Sequence, residues 1–278
     1  MRKHRRHAAD HEASHGAAQS RPRARGDAPR VLILGGSSDG FEAAELFVKQ
    51  GYDVVTSFAG RTETRRTPAG RARVGGFGGV TGLAAYLAVE DVSLVVDATH
   101  PFASRMKENA AKACREVDAR LIHVLRAPWR PRDGDDWRFA PDIEAAAALT
   151  PRTQGPCFLT VGRMKLAAFA KRRDLSFVIR TVEPPEPPFD HPNSVIFNDR
   201  GPFSLINERA LFEEHGFGCV VTANSGGGAA SPKLDIAREK ALPVVLVDRP
   251  APPTGHVVES VAEALEDARK LIGDPGAD

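Results

Sequence analysis

Val31-Leu-Ile-Leu-Gly-Gly-Ser-Ser-Asp-Gly40 is the stretch that decides the fold. Four apolar residues of strand character run into Gly35 and Gly36, and Ser37, Ser38 and Asp39 each carry a side-chain oxygen able to cap a helix over about 40–50. A buried parallel strand that turns sharply into a helix leaves unpaired N–H groups at the turn, and the helix dipole adds positive potential there. The phosphates of a dinucleotide suit such a turn, because glycines let the backbone approach them. Only Gly35, Gly36 and Gly40 of the longer G-x-G-x-x-G pattern are present, so the stretch reads either as a ligand turn or as a plain tight turn.

Outward from this turn, strand and helix signals alternate. Residues 31–34, 53–57, 92–97 and 120–125 are rich in Val, Leu and Ile and predict strands. Helices are predicted over 41–50, 81–90 and 104–117, the last with Met106, Ala110, Ala113 and Val117 three and four apart. That alternation predicts a doubly wound parallel sheet whose right-handed crossovers gather the strand-to-helix loops at one carboxyl edge, where ligands bind.

Those loops carry the candidate chemistry. An NAD site places an acid after the second strand to hold the ribose 2′-hydroxyl, but Ser57-Phe-Ala-Gly-Arg61 has none. Arg61, with Arg65 and Arg66 nearby, is suited instead to a 2′-phosphate, which favours NADPH over NADH; the alternative is a solvated basic loop. Four glycines between Gly75 and Gly79 cost conformational entropy that a plain loop does not need, so Gly76, Phe77 and Gly78 read as a close approach to the cofactor. Asp97-Ala-Thr-His-Pro-Phe102 ends a strand with polar groups and places Pro101 at a helix start. Asp97 and His100 are candidates to position substrate or carry a proton, with Thr99 beside the cofactor; Asp97 or Thr99 serves equally well as a helix cap.

From 127 to 156 the texture changes, with Pro128-Trp-Arg-Pro131, an acidic run around Asp133–Asp136, Trp137, and an Ala-rich helix predicted over 143–149. This reads as a linker region joining two lobes. A second α/β lobe follows, with strands expected at 157–161, 176–180, 194–197, 219–222 and 244–247 and helices near 164–172, 204–215 and 232–240. An amphipathic helix over 259–272 closes it. Its loops hold Arg163, Arg180, and Asn224-Ser-Gly-Gly-Gly228, whose N–H groups and Ser225 hydroxyl suit an anion. The expected domains are thus a basic leader 1–28, a cofactor domain 29–127, a linker 128–156, a second domain 157–272 and a tail 273–278.

Composition bounds the rest. At 278 residues and 42% hydrophobic content the chain is long enough for two ordinary cores. No run of about 18 apolar residues exists to cross a membrane. Residues 1–25 hold seven Lys and Arg against two acids, a net +5, so the remainder of a chain of formal charge +2 carries −3. The leader lacks the apolar core of a signal peptide and reads as a disordered tail or a misplaced start; its His4, His7, His11 and His15 would share one face if it were helical, a spacing that can bind metal. Cys114, Cys157 and Cys219 form no C-x-x-C pair, no metal motif is seen, and a reducing cytoplasm is the expected location.

Taken together, Leu32-Ile-Leu-Gly-Gly-Ser37, Ala59-Gly-Arg61, Gly75–Gly79, Val96-Asp-Ala-Thr-His-Pro-Phe-Ala103, Thr160-Val-Gly-Arg163, Gly201-Pro-Phe203, Val221-Thr-Ala-Asn-Ser-Gly-Gly227, Lys233-Leu-Asp235 and Val245–Pro250 resemble the precorrin-6A reductase family of cobalamin biosynthesis. They stand in the family's order and span residues 29–272. The resemblance implies two Rossmann-like parallel-sheet lobes with a cleft between them, NADPH on the first and a tetrapyrrole in the cleft. It implies hydride transfer to a macrocycle double bond of precorrin-6A, giving precorrin-6B. The expected partner is that small molecule, not nucleic acid or a membrane, and a monomer is compatible with it. The expected cofactor residues are Gly35, Gly36, Ser37, Ser38, Arg61, Gly76, Phe77, Gly78 and Thr99, and the expected catalytic residues are His100 and Asp97. A ring of carboxylates calls for cations, and Arg126, Arg163, Arg180, Lys233 and Arg249 lie near predicted strand ends, with Asn224, Ser225 and Gly226 beside them. The chain departs from the family at Ala223, where Lys is usual, and at Ser37-Ser38-Asp39, where Thr and then Glu are common. Whether the ring is metal-free or cobalt-loaded, and whether NADH serves, stays open. A short-chain dehydrogenase needs Tyr-x-x-x-Lys, and Tyr52 and Tyr86 are followed by Thr56 and Glu90. A non-catalytic NADPH sensor is the rival from another class.

Overall fold

The computed structural model describes residues 28–58, 60 and 67–275. The leader with its four histidines, Arg61, Arg65 and Arg66, and residues 276–278 lie outside the described residues.

The strands are β1 Arg30–Leu34, β2 Asp53–Phe58, β3 Arg71–Val74, β4 Leu94–Asp97, β5 Arg120–Val124, β6 Asp136–Ala140, β7 Cys157–Thr160, β8 Phe177–Thr181, β9 Ser194–Asn198, β10 Cys219–Ala223, β11 Pro243–Val247 and β12 His256–Val258. The α-helices are α1 Ser38–Lys49, α2 Val80–Val89, α3 Ser104–Glu116, α4 Ile143–Leu149, α5 Leu205–His215, α6 Pro232–Glu239 and α7 Val261–Ile272. They form two six-stranded parallel sheets, ordered β12-β5-β4-β1-β2-β3 and β6-β11-β10-β7-β8-β9. The expected α/β class with two Rossmann-like lobes is therefore what the chain adopts.

Continuous apolar runs give the central strands because both of their faces are covered by helices. β1 is buried at every position. One face of its sheet packs Val31, Ile33, Phe47 and Leu94 against Val261, Ala264 and Leu265 of α7; the other packs Leu32, Leu34 and Val95 against α2 and α3. Sheet two is likewise closed on one side by Leu159, Phe169, Phe177 and Val221 and on the other by Phe158, Phe212, Leu234 and Leu246.

Three strands depart from the sequence expectation. β3 and β6 are sheet edges whose Arg71-Ala-Arg73-Val74 and Asp136-Trp-Arg-Phe-Ala140 mix charge into the strand, as edges do. β6 and α4 lie inside the expected 128–156 linker yet complete the second sheet, β6 pairing with β11. β12 and α7 fall within the expected second domain but belong to the first sheet, β12 pairing with β5. The second lobe is thus inserted between β5 and β12, and the chain crosses between lobes twice, after Val124 and after Val247. The helix expected over 164–172 is a 3-10 helix, Arg163–Phe169.

Candidate functional site

Strand order reverses between β1 and β4 in the first sheet, and the loops leaving their carboxyl ends diverge to opposite faces, which opens a crevice. Ser37 caps α1, its Oγ accepting from Gly40 N at 3.3 Å, and the same hydroxyl donates to Ala98 O at 2.6 Å. One side chain therefore ties the glycine turn to the 97–102 loop. Gly40 is required for close packing, since a Cβ there would lie 2.8 Å from Gly35 Cα. Gly36, at φ +110°, faces open space. Gly35 N and Gly75 N donate to the carbonyls of Ser57 and Phe58, both at 2.9 Å, so both glycine loops hang from the end of β2. Gly76 and Gly78 face open space as well. A nicotinamide dinucleotide fits this cradle: bare backbone, the open first turn of α1, and no acid at the end of β2.

Asp97 differs from its expected catalytic place. It is wholly buried, with Oδ1 accepting from Thr99 N at 3.1 Å and Thr99 Oγ1 at 2.6 Å, and Oδ2 facing His123 Nδ1 at 2.7 Å and Lys107 Nζ at 3.1 Å. Burial pushes its pKa up, but the hydrogen bond from His123, the Lys107 charge and the Thr99 hydroxyl override it and hold the carboxyl at about 2. An ionised, enclosed carboxylate moves no proton near neutrality; Asp97 shapes the loop. Thr99 likewise spends its hydroxyl on Asp97 and Lys107. Nothing in the local sequence marked Lys107 and His123 as its partners.

His100 reaches solvent at the crevice, its Nδ1 accepting from Phe102 N at 3.3 Å, which leaves the proton of the neutral ring on Nε2. Crowding by protein, then the charges of Arg126, Lys165, Lys107 and Arg249, lower its pKa to about 4. Lys165, absent from the sequence candidates, sits with Nζ 4.1 Å from the Phe102 ring centre and joins the lobes.

The expected substrate residues divide three ways. Arg126, Arg249, Asn224, Ser225 and Gly226 come together at the lobe junction. Arg126 Nη1 pairs with Asp39 Oδ2 at 2.6 Å, and its Nε donates to the carbonyls of Ser225 and Gly226 at 2.8 and 3.0 Å. Arg249 donates to Asn224 O at 2.7 Å and Arg126 O at 2.6 Å. Asn224 clamps Trp129 through its N and O at 2.8 and 3.2 Å. Gly226 admits the Arg249 guanidinium, because a Cβ there would lie 2.4 Å from Arg249 Nη2 and 2.1 Å from Ala127 O. Arg163 is exposed and pairs with Glu183 at 2.9 Å. Arg180 and Lys233 depart from expectation. Arg180 is buried, paired with Glu208 and stacked on Phe203 at 3.6 Å. Lys233 is buried with Nζ donating to Ala230 O at 2.6 Å, and burial and the Arg180 charge, against Glu208, lower its pKa to about 7. Both side chains are enclosed within the second lobe.

Beyond Arg61, whose place is not described, the end of β2 holds a cation that motif reading missed. Arg73 Nη1 donates to Ser57 Oγ at 2.8 Å and Gly75 O at 3.0 Å, with its guanidinium 3.8 Å over Phe77. The alternation Arg71-Ala-Arg73-Val74 ahead of the glycines is the signal for it. Among the described residues, no group of three or more metal-ligating side chains occurs and no helix is long and apolar enough to cross a membrane.

The chain is similar to known proteins over nearly its whole length. It is 42% identical over 238 residues to a precorrin-6A reductase of Rhodococcus erythropolis, covering 85% of this chain and 96% of that one. With a precorrin-6A reductase of Rhodobacter capsulatus it shares 39% over 248 residues, 89% of this chain and 97% of that. A solved structure described as CobK precorrin-6A reductase superposes with a TM-score of 0.85 at 37% identity, covering 90% of this chain and all of the other. The family described as precorrin-6x reductase CbiJ/CobK matches residues 30–269, and with two parallel sheets meeting at a glycine-lined, cation-rich crevice, the chain belongs to that family.

Proposed function

We infer that the protein is an NADPH-dependent reductase of a macrocycle double bond, converting precorrin-6A to precorrin-6B. One observation carries the reading: the switch-point loops 35–40 and 97–102, joined by Ser37 and Ala98, open beside the cations Lys165, Arg126 and Arg249 that surround His100. A carboxylate-fringed tetrapyrrole complements that positive rim. The relatives' shared activity supports the substrate class.

When bound, the reduced nicotinamide supplies the hydride. The protein supplies geometry: bare glycine backbone and the first turn of α1 would hold the cofactor's phosphates, and the network of Asp97, Thr99, Lys107 and His123 fixes the loop that carries His100. His100 is the side chain we propose as proton donor, and it would act from Nε2 only as the imidazolium, with Nδ1 protonated and released from Phe102 N, so that loss of the proton returns the neutral ring. It is neutral in the free protein near neutrality, and substrate carboxylates would offset the surrounding cations and raise its pKa.

An anaerobic assay with precorrin-6A, and separately with its cobalt form, against NADPH and NADH tests the assignment. Oxidation of NADPH with formation of the reduced ring is expected; consumption of neither nucleotide overturns it. A His100→Ala variant with an unchanged single-turnover rate would remove His100 as the donor.

A further inference from the structure

The first lobe, read as a nicotinamide dinucleotide site, needs a group that distinguishes the 2′-phosphorylated cofactor from the plain one. Resting on that reading, we propose that Arg73 makes this choice, its guanidinium gripping the 2′-phosphate at the carboxyl end of β2.

Position comes first. β3 pairs with β2 so that Arg73 lies opposite Ser57, the residue whose carbonyl accepts from Gly35 N at 2.9 Å. The guanidinium is thus one strand's width from the phosphate turn, at the place where an acid would hold a 2′-hydroxyl. No acid stands there among the described residues; Ser57 and Phe58 end the strand.

The unused donors come next. Both protons of Nη1 are engaged, on Ser57 Oγ at 2.8 Å and Gly75 O at 3.0 Å. Nη2 has only a 3.5 Å approach to Gly76 O, and Nε has no acceptor among the described residues. The Nε and Nη2 protons of an arginine point the same way and form the edge that takes two phosphate oxygens at once. Phe77, 3.8 Å from the guanidinium carbon, covers one face and holds that edge in place.

Charge completes the case. Arg71, two residues earlier, is paired with Asp53 at 3.0 Å, whereas Arg73 has only neutral oxygens and aromatic rings around it among the described residues. A half-buried cation with no carboxylate beside it among the described residues is a standing demand for an anion. A 2′-phosphate carries nearly two negative charges near neutrality and meets it.

Calorimetric titration of wild type, Arg73→Gln, Arg73→Lys and Arg61→Ala with 2′,5′-ADP, 5′-AMP, NADPH and NADH tests this without turnover. Arg73→Gln is expected to weaken NADPH and 2′,5′-ADP by about 10- to 100-fold, the worth of a charged two-point contact, while 5′-AMP and NADH change by less than about threefold. Arg73→Lys, which keeps the charge and loses the fork, falls between and covers the case in which the Gln variant does not fold. Wild-type affinity for 2′,5′-ADP should drop below about pH 6 as the phosphate gains its second proton, a drop that Arg73→Gln flattens. Equal loss of all four ligands, or an unchanged preference in both Arg73 variants with the preference lost in Arg61→Ala, overturns the proposal and leaves the dinucleotide reading standing. Failure of wild type to bind either dinucleotide overturns both.

Discussion

Asp97 shows how one residue's surroundings decide its role. A carboxylate at a strand's carboxyl end, two residues before Thr and three before His, reads as easily for catalysis as for architecture. In the fold it is enclosed by four donors, and Lys107 meets three acceptors, Asp97 Oδ2, Thr99 O and Thr99 Oγ1. Asp97→Asn would leave the Lys107 ammonium buried beside a neutral amide and cost about 3 kcal/mol, measured by urea unfolding near neutral pH. Because the folded pKa of Asp97 lies below its ordinary value of 3.8, its stabilisation is complete above that pH and is lost as pH falls through about 2. His100 acts in the same direction with pH over a higher window, here as a penalty on the charged ring. Its pKa falls from 6.5 to about 4, so the unfolded chain binds the extra proton between those values and stability rises with pH across the window. A His100→Gln variant should show a flatter pH–stability profile there; an identical profile would sink the assignment of a depressed pKa.

At the scale of the element, α1 owes its position to a glycine that the shortened fingerprint retains. Gly40 faces Gly35 across the turn, and a Cβ at Gly35 would lie 3.0 Å from Thr56 Cγ2. Gly40→Ala would force β1 and α1 apart, costing about 1–3 kcal/mol and weakening NADPH binding at least tenfold, checked by thermal unfolding and by titration. The amphipathic repeat of α7 was readable because Val261, Leu265 and Ala268 recur on one face. β3 and β6 were not, because a short edge strand needs apolar residues on at most one face and carries arginine or tryptophan on the other.

For the whole molecule the decisive fact is that the chain leaves the first lobe and returns. Leu265 of α7 packs into the core with Phe47 and Leu94, more than 150 residues earlier. Leu265→Ala is expected to cost about 2–5 kcal/mol and to speed hydrogen exchange in β1, β4 and β5, while β7 and β10 stay protected. Loss of protection confined to the second lobe would contradict the topology. Arg126 joins the two lobes, pairing with Asp39 of one and with two carbonyls of the other. Arg126→Ala should lose about 2 kcal/mol and raise exchange at 224–228, read by mass spectrometry.

The amino-acid order by itself determined the parallel α/β class, the two lobes, the glycine turn at 35–40 and the loop carrying His100. These rest on local periodicity and on glycines whose backbone freedom is a property of the residue. Only the tertiary structure decided which sheet β6, β12 and α7 join, that Arg180 and Lys233 face inward, that Asp97 is enclosed, and that Arg73 stands at the end of β2. An apolar stripe fits any apolar face, and a charged side chain has no fixed partner until distant strands are placed side by side.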